Sequence, residues 1–432
     1  MPPSSLNEWL AWQERLHPAD MVLGLERVRQ VFDALAPGPA PFKVVTVAGT
    51  NGKGSSVAML ESVMNAAGYR TGAYYSPHLV RYNERIRLGG QEAGDEALCS
   101  AFARVEAARG DTPLTYFEFG TLAALQLFYE AVPDIVLLEV GLGGRLDAVN
   151  VLDSDVALLT AIDIDHSQWL GGDRERIGRE KAGILRPGRP AVCSDPRPPR
   201  SVIDHAAGIQ APLACLGRDF GFESDAGQWT WWGPQRRYAA LPMPALGGAV
   251  QLQNAAGVLA VLEALAEDLP VSPAGLRQGL RAVRLPGRLQ VLAGPPPCIL
   301  DVAHNPHAAQ VLARALERMP CRGRTHAVFA MLEDKDITGV IQAMAGSVNE
   351  WHVADLHVAR GASAATLAAC LDRVGHAGAV HRYADPQSAY RRARALCGPH
   401  DRIIVFGSFH TVGAVLSLEN DAPMTNTTTR QV

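Results

Sequence analysis

Residues 45 to 56 read Val-Thr-Val-Ala-Gly-Thr-Asn-Gly-Lys-Gly-Ser-Ser. Val44, Val45 and Val47 form an apolar run, two glycines and Lys53 follow, and a helix-like stretch comes next. That order is strand, tight turn, helix start. Glycine lets the backbone approach a phosphate, a helix start offers free N–H groups at its positive end, and a lysine adds a mobile cation. Thr50, Asn51, Gly52 and Lys53 are therefore a candidate phosphate cradle. The common pattern is not met in full: Val47 stands where its first glycine would be, and Gly54 separates Lys53 from Ser55. A glycine-rich turn that opens a helix can also serve packing alone.

Three further motifs place possible ligands just past apolar runs: Tyr74-Tyr75-Ser76-Pro77-His78, Leu138-Glu139-Val140-Gly141-Leu142-Gly143-Gly144-Arg145, and Asp163-Ile164-Asp165-His166. Their donors are the Ser76 hydroxyl, the Glu139 carboxylate and the His166 imidazole. A nucleotide-bound Mg²⁺ needs few protein ligands, because it keeps waters and takes phosphate oxygens. Each residue also has an ordinary reading. A serine before proline forms turns, and a lone histidine is commonly a satisfied polar group that Mg²⁺ does not favour. Arg179-Glu180-Lys181-Ala182-Gly183-Ile184 reads as a surface charge cluster before a helix C-cap. Asp301-Val302-Ala303-His304-Asn305-Pro306 could hold a ribose or a phosphate, or could be a helix start with Pro306 at the first position. Met331 to Asp336 and Gly407 to His410 also fall at strand ends.

The elements that must position these groups alternate. Apolar runs at 134–140 and 155–161 are interleaved with helical stretches at 55–67, 121–131 and 251–267. Strands at 298–302, 326–331, 351–354, 380–383 and 402–406 are interleaved with helices near 307–318, 337–346, 364–373 and 386–397. Near-continuous apolar strands separated by helices imply an α/β fold with a parallel sheet covered on both faces. Ligands bind at the strand ends of such sheets. The length of 432 residues exceeds one ordinary core, so two domains are expected. Leu285-Pro286-Gly287-Arg288 is the candidate hinge, giving domains at 1–285 and 286–420 and a polar, disordered tail at 421–432. The Pro-, Gly- and Trp-rich stretch at 196–244 is expected to be a small irregular β segment at the edge of the first domain.

Apolar content of 47% with 19% charged residues describes a globular chain, and a net charge of −4 leaves no basic footprint for nucleic acid or an anionic membrane. No apolar run has the length of a membrane span, and Met1 to Asp20 lacks the pattern of a secretory signal. Seven scattered cysteines without a C-x-x-C pair argue for a reducing cytoplasm and against a zinc or disulfide frame.

Taken in order, these motifs resemble the folylpolyglutamate synthase and dihydrofolate synthase family, a branch of the Mur-type peptide ligases. The resemblance runs from about Trp9 to about Val415. It is closest to the bifunctional bacterial enzymes, through Ser76-Pro-His-Leu-Val-Arg-Tyr82, Leu114-Thr-Tyr-Phe-Glu118, Gly141-Leu-Gly-Gly-Arg-Leu-Asp-Ala148, Asp165-His-x-x-Trp-Leu-Gly171, Gly178-Arg-Glu-Lys-Ala-Gly-Ile184 and Asp301-Val-Ala-His-Asn-Pro-His-Ala-Ala309. Gly-Thr-Asn-Gly-Lys-Gly-Ser/Thr is this family's own form of the loop. The resemblance implies an N-terminal P-loop-type Mur ligase ATPase domain and a C-terminal doubly wound, Rossmann-like domain.

It also implies roles. Thr50, Asn51, Gly52 and Lys53 would hold the ATP phosphates. Ser76, Glu139 and His166 would ligate Mg²⁺. Lys181 would be N-carboxylated and ligate a second Mg²⁺, so Lys53, Lys181 and His166 form the catalytic set. Asn254 (near the adenine), Arg288, Asp301 and His304 would complete the ATP-binding residues. Thr115, Tyr116, Phe117, Glu118, Leu146, Asp147 and Ala148 resemble dihydropteroate-binding segments, and Leu23 to Leu25 could line the same pocket. The implied activity is ATP-dependent addition of L-glutamate to dihydropteroate and to folates such as tetrahydrofolate, through an acyl phosphate. Closure about the hinge would exclude water. A cytoplasmic monomer is expected. A monofunctional folylpolyglutamate synthase and, less close, a cell-wall Mur ligase are the alternatives.

Overall fold

The computed structural model describes residues 3–17, 22–35, 38–225 and 227–420, with the backbone of Arg430–Gln431. Two compact units result: Met1–Pro244 with Leu252–Val283, and Ala245–Gln251 with Arg284–Val432. The expected tail at 421–432 lies outside the described residues, apart from the short strand at its end.

The first unit is built on eight strands: β1 (Lys43–Ala48), β2 (Thr71–Tyr74), β3 (Ile86–Leu88), β4 (Gln91–Glu92), β5 (Ile135–Glu139), β6 (Val156–Leu159), β7 (Ala191–Cys193) and β8 (Leu213–Cys215). Their order is β4-β3-β2-β5-β1-β6-β7-β8. Pairing is parallel from β2 to β8, and the β3–β4 edge is antiparallel. β5 and β6 are buried at every residue, the pattern of strands covered on both faces. Each fully buried Val or Leu contributes roughly 1.5–3 kcal/mol, so these runs anchor the sheet. Register then sets the site. Val47 lies opposite Glu139 and Ala48 opposite Leu159, so the ends of β1, β5 and β6 fall at one level.

The helix Lys53–Ala66 follows β1 and is buried on nearly all sides. The helix Pro273–Ala282 packs on it closely: a Cβ on Gly279 would lie 2.4 Å from Val63 Cα. The 196–244 stretch is more regular than its composition suggests. It forms the helix Arg200–Gly208, the strand β8 of the main sheet, and a three-stranded antiparallel sheet. That small sheet is β9 (Gly221–Asp225), β10 (Gln228–Trp232) and β11 (Arg237–Pro242). The helix start is held from a distance, because the Arg200 and Ser201 amides donate to Glu175. Trp229 and Trp231 are buried, with indole N–H groups donating to the carbonyls of Pro242 and Ala256.

The second unit carries β12 (Gln290–Leu292), β13 (Cys298–Leu300), β14 (Thr325–Phe329), β15 (Glu350–Ala354), β16 (Ala379–Tyr383), β17 (Arg402–Phe406) and β18 (Arg430–Gln431), in the order β16-β15-β14-β17-β13-β12-β18. β16 to β13 are parallel, and β12 is antiparallel to both neighbours. Four of its helices begin on side-chain caps, with Asn305, Asp336, Ser363 and Asp385 each accepting a backbone N–H. Phe329, Trp351 and Phe406 pack together in its core. Both units are α/β with mainly parallel sheets. Among the described residues no helix is long and apolar enough to cross a membrane, and the seven cysteines are free thiols.

Candidate active site

The β1 loop is forced to be glycine at two points. A Cβ on Gly49 would lie 1.8 Å from Thr160 Oγ1, and one on Gly52 would lie 2.5 Å from Asn254 Oδ1. Gly52 also has a φ of +95°, which favours glycine. Thr50 ties the loop to the segment beyond β6. Its N–H donates to Ala161 O at 2.7 Å, its hydroxyl donates to Asp163 O at 2.8 Å, and that hydroxyl accepts Asp163 N–H at 3.0 Å. Gly52 brings no capping side chain to the helix start, so the positive helix end stays suited to an anion.

Two lysines converge on one carbonyl. Lys53 Nζ donates to Gly49 O at 3.0 Å and Thr50 O at 3.2 Å, and Lys181 Nζ donates to Gly49 O at 2.9 Å. The surface reading of 179–184 therefore fails for Lys181. It lies on the helix Arg174–Ala182, one turn after Ile177, and shares its buried face. Burial and then the Lys53 charge pull its ammonium down to about 7, against the opposing fields of Asp165 and Asp147. The loop after β5 fixes this helix. Arg145 N–H donates to Glu180 O at 2.9 Å, and a Cβ on Gly144 would lie 2.8 Å from that same oxygen.

Ser76 N–H donates to Glu139 Oε2 at 3.2 Å, so the β2 and β5 ends meet. The Ser76 hydroxyl is buried without a hydrogen-bond partner. A buried oxygen in need of a partner beside a buried carboxylate fits a hard, oxygen-seeking cation such as Mg²⁺. His166 adopts φ +51° just past this level, with Nε2 4.0 Å from Asp165 Oδ1.

The aromatic segment divides in two. Thr115 and Glu118 are engaged in a capping box at the start of the helix Tyr116–Ala131, and Glu118 also accepts Arg27 Nη2 at 2.6 Å. Phe117 instead lies against Gly141, where a Cβ would meet its ring at 2.6 Å, and beside Tyr74. Tyr116 meets Tyr82 edge-on, and its hydroxyl is pushed up to about 12 by burial. Asp147, between Leu146 and Ala148, accepts the N–H groups of Leu142 and Val149, and burial raises its carboxyl to about 6. Gly24 lies beyond these contacts, with Glu26 as its near neighbour.

Arg85 is a residue that sequence reasoning missed. It is buried, stacks on Tyr82 and Tyr116, and donates from Nε to His78 Nδ1 at 2.8 Å. Its signal was its place just after the Ser-Pro-His motif.

In the second unit Asp301 accepts Leu289 N–H and Ala303 N–H, both at 2.9 Å. Burial raises its carboxyl and the Arg288 charge lowers it. Arg288 lies over the Phe409 ring at 5.2 Å, and His304 also meets that ring. Phe409 belongs to the strand-end segment 407–410 that the sequence offered without a role. Asn305 and Pro306 open a helix, as the helix-start reading expects, and His304 Nδ1 contacts Val302 O at 2.8 Å.

Residues 287–409 match the Mur ligase, glutamate ligase domain. Together with the β1 loop, this places the chain among ATP-dependent carboxylate–amine ligases. The dihydrofolate synthase/folylpolyglutamate synthase of Escherichia coli K12 is 45% identical over 416 residues, covering 96% of each chain. The Bacillus subtilis enzyme of the same name is 30% identical, over 91% of this chain and 94% of its own. E. coli FolC in complex with DHPP and ADP matches with a TM-score of 0.91 at 44% identity, over 97% of this chain and 99% of that one. A bifunctional enzyme from Yersinia pestis complexed with AMPPNP and Mn ion matches with a TM-score of 0.88 at 48% identity, over 97% and 99%. The chain belongs to the dihydrofolate synthase/folylpolyglutamate synthase family.

Proposed function

We propose that this protein joins L-glutamate to dihydropteroate, giving dihydrofolate, and to folates such as tetrahydrofolate. The supporting observation is 45% identity to the bifunctional E. coli enzyme over nearly the whole of both chains. A carboxylate is a poor electrophile, so its oxygen first takes the γ-phosphoryl group of ATP and ADP leaves. The glutamate amine then attacks the acyl carbon, loses a proton and expels phosphate.

In this reading Thr50 to Lys53 bind the phosphates, and Lys53 neutralises charge as the phosphoryl group moves. Ser76, Glu139 and His166 hold Mg²⁺, which when bound screens phosphate oxygens. Lys181 carries the N-carboxylation. Its nitrogen lone pair adds to the carbon of CO₂ and one N–H proton is released, leaving a carbamate. An amine held down to about 7 is neutral in a substantial fraction near pH 7, the form this addition needs. The product replaces a buried ammonium beside Lys53 with an anion suited to a second Mg²⁺. Tyr116, Phe117 and Leu146 to Ala148 line the pterin side, with Thr115 and Glu118 setting the helix that presents the two rings. Asn254, Arg288 and His304 keep their ATP-binding roles, and Asp301 serves the same site by holding the backbone beside Arg288. A cytoplasmic monomer completes the reading.

The test is ADP release measured with dihydropteroate and with tetrahydrofolate side by side. Glutamate- and pterin-dependent release with both acceptors is expected. Release with tetrahydrofolate alone would leave a monofunctional folylpolyglutamate synthase, and release indifferent to any pterin would sink the proposal.

A further inference from the structure

A polar row crosses one face of the second unit's sheet, where a parallel sheet is ordinarily apolar. His326 of β14, Glu350 and His352 of β15, and His381 and Tyr383 of β16 share it by strand alternation, while Trp351, Val353 and Phe329 belong to the core opposite. The rings of His326 and His352 stack at 5.5 Å, and those of His352 and His381 at 5.0 Å. His326 and His352 are 2% and 0% exposed. None of these residues belongs to the ligase site.

Their inner atoms converge. His326 Nδ1 lies 3.2 Å from His352 Nε2 and 3.6 Å from Glu350 Oε2. Four-coordinate Zn²⁺ with bonds of about 2.0–2.1 Å sets its ligand atoms roughly 3.3 Å apart, which these spacings match. One outer atom has the kind of partner that metal-bound imidazoles use, and the other faces a nearby carboxylate. His352 Nδ1 contacts the Tyr383 hydroxyl at 3.1 Å, and His326 Nε2, buried with no hydrogen-bond partner, lies 3.5 Å from Asp401 Oδ2. The other grouping around His326, with Cys397 and Asp401, lies on the side of Nε2, the nitrogen that faces Asp401 and points away from His352. Arg392 adds a repulsive field, which Glu350 opposes at His352.

We infer that His326 Nδ1, His352 Nε2 and Glu350 bind one divalent transition cation of borderline softness, such as Zn²⁺ or Co²⁺, pinning β14 to β15. His381 Nε2 lies 3.8 Å from Glu350 Oε2 but outside the converging group, so water completes the coordination, and Asp401 acts as a positioning residue. Nitrogen donors select such ions over Mg²⁺.

The test uses the full-length protein, stripped by chelator and kept in millimolar Mg²⁺ to occupy oxygen-rich sites. Co²⁺ titration should give one equivalent with the strong visible bands of four-coordinate Co²⁺, displaced by Zn²⁺, and Zn²⁺ should raise Tm. Glu350→Gln and His352→Gln should each weaken binding at least about tenfold and abolish the Tm shift, while pterin-dependent ADP release is unchanged. Asp401→Asn should keep the bands but weaken binding. A weak six-coordinate spectrum in the wild type, which requires no variant to fold, would overturn the site. So would undiminished binding in both ligand variants.

Discussion

Glu139 and Asp301 both stand at the end of a buried parallel strand, one in each unit, yet they are treated differently. Asp301 settles the backbone, with its two oxygens taking the N–H groups of Leu289 and Ala303. Glu139 takes the Ser76 N–H, and beside it the Ser76 hydroxyl is left without a partner. A short way off, two lysines crowd the Gly49 carbonyl. A buried group satisfied by its own backbone holds a turn. A buried group whose neighbours still need a partner is ready for a ligand.

The largest expected effect tests this contrast directly. Glu139→Ala should cost at least about a hundredfold in kcat, with an unchanged circular dichroism spectrum and Tm. Asp301→Asn should show itself first in stability, losing about 1–2 kcal/mol as one backbone N–H loses its acceptor. Activity and urea denaturation measured on both variants check it. Normal kinetics in the Glu139 variant would remove that residue from the metal site and erase the distinction.

Lys181→Ala sharpens the same region. Activity should fall more than about tenfold and recover in part with short carboxylic acids, which restore an anion where the carbamate would be. Its linkage has a definite sign. The folded state holds this proton less tightly than the unfolded chain, whose amine titrates near 10.5. The unmodified amine, in protein kept free of CO₂, therefore adds stability as pH rises from about 7 towards 10.5. The Ala variant should lose that rise in denaturant midpoint. Full activity without CO₂ would reject the carbamate.

What was legible in the sequence follows from the same physics. β5 and β6 could be read because strands buried on both faces are written as unbroken apolar runs. β7 and β8 are three residues each, too short to carry a pattern. The helix Arg200–Gly208 was hidden because its cap, Glu175, comes from another element. The glycine-rich loop after β1 was visible in its glycines and Lys53. Lys181 was not, since Arg-Glu-Lys reads as a solvated charge run and only the packing of Gly144 against Glu180 turns that lysine inward. Family resemblance pointed to Lys181 where composition did not. Arg85 escaped, and the role of Phe409 within 407–410 went unread, because their partners, Tyr116 and Arg288, lie on other elements.

Asp147 gives a test that depends on pH. Its carboxyl rises from 3.8 to about 6, so the folded state holds the proton more tightly. Stability from this group is full below pH 4 and is lost as pH rises through about 6. The shift corresponds to about 3 kcal/mol. Asp147→Asn, measured by urea midpoints from pH 4 to 7, should flatten that decline relative to the wild type. A difference curve with no slope in this window would show that the backbone N–H bonds fully offset burial at Asp147.

The smallest effect separates holding from binding inside one segment. Thr115 caps the helix that presents Tyr116 and Phe117. Thr115→Ala should cost about 1 kcal/mol of stability through the lost cap. If the residue acts only through the helix start, KM for dihydropteroate should change by no more than a few-fold. Phe117→Leu leaves the cap intact and removes the ring that lies against Gly141, so it should raise KM for dihydropteroate several-fold with little change in Tm. The reverse pattern, a large KM effect from Thr115 and none from Phe117, would move substrate contact from the rings to the cap. The capping box would then be the ligand site, and a satisfied hydrogen bond could no longer be taken as the mark of a purely structural residue here.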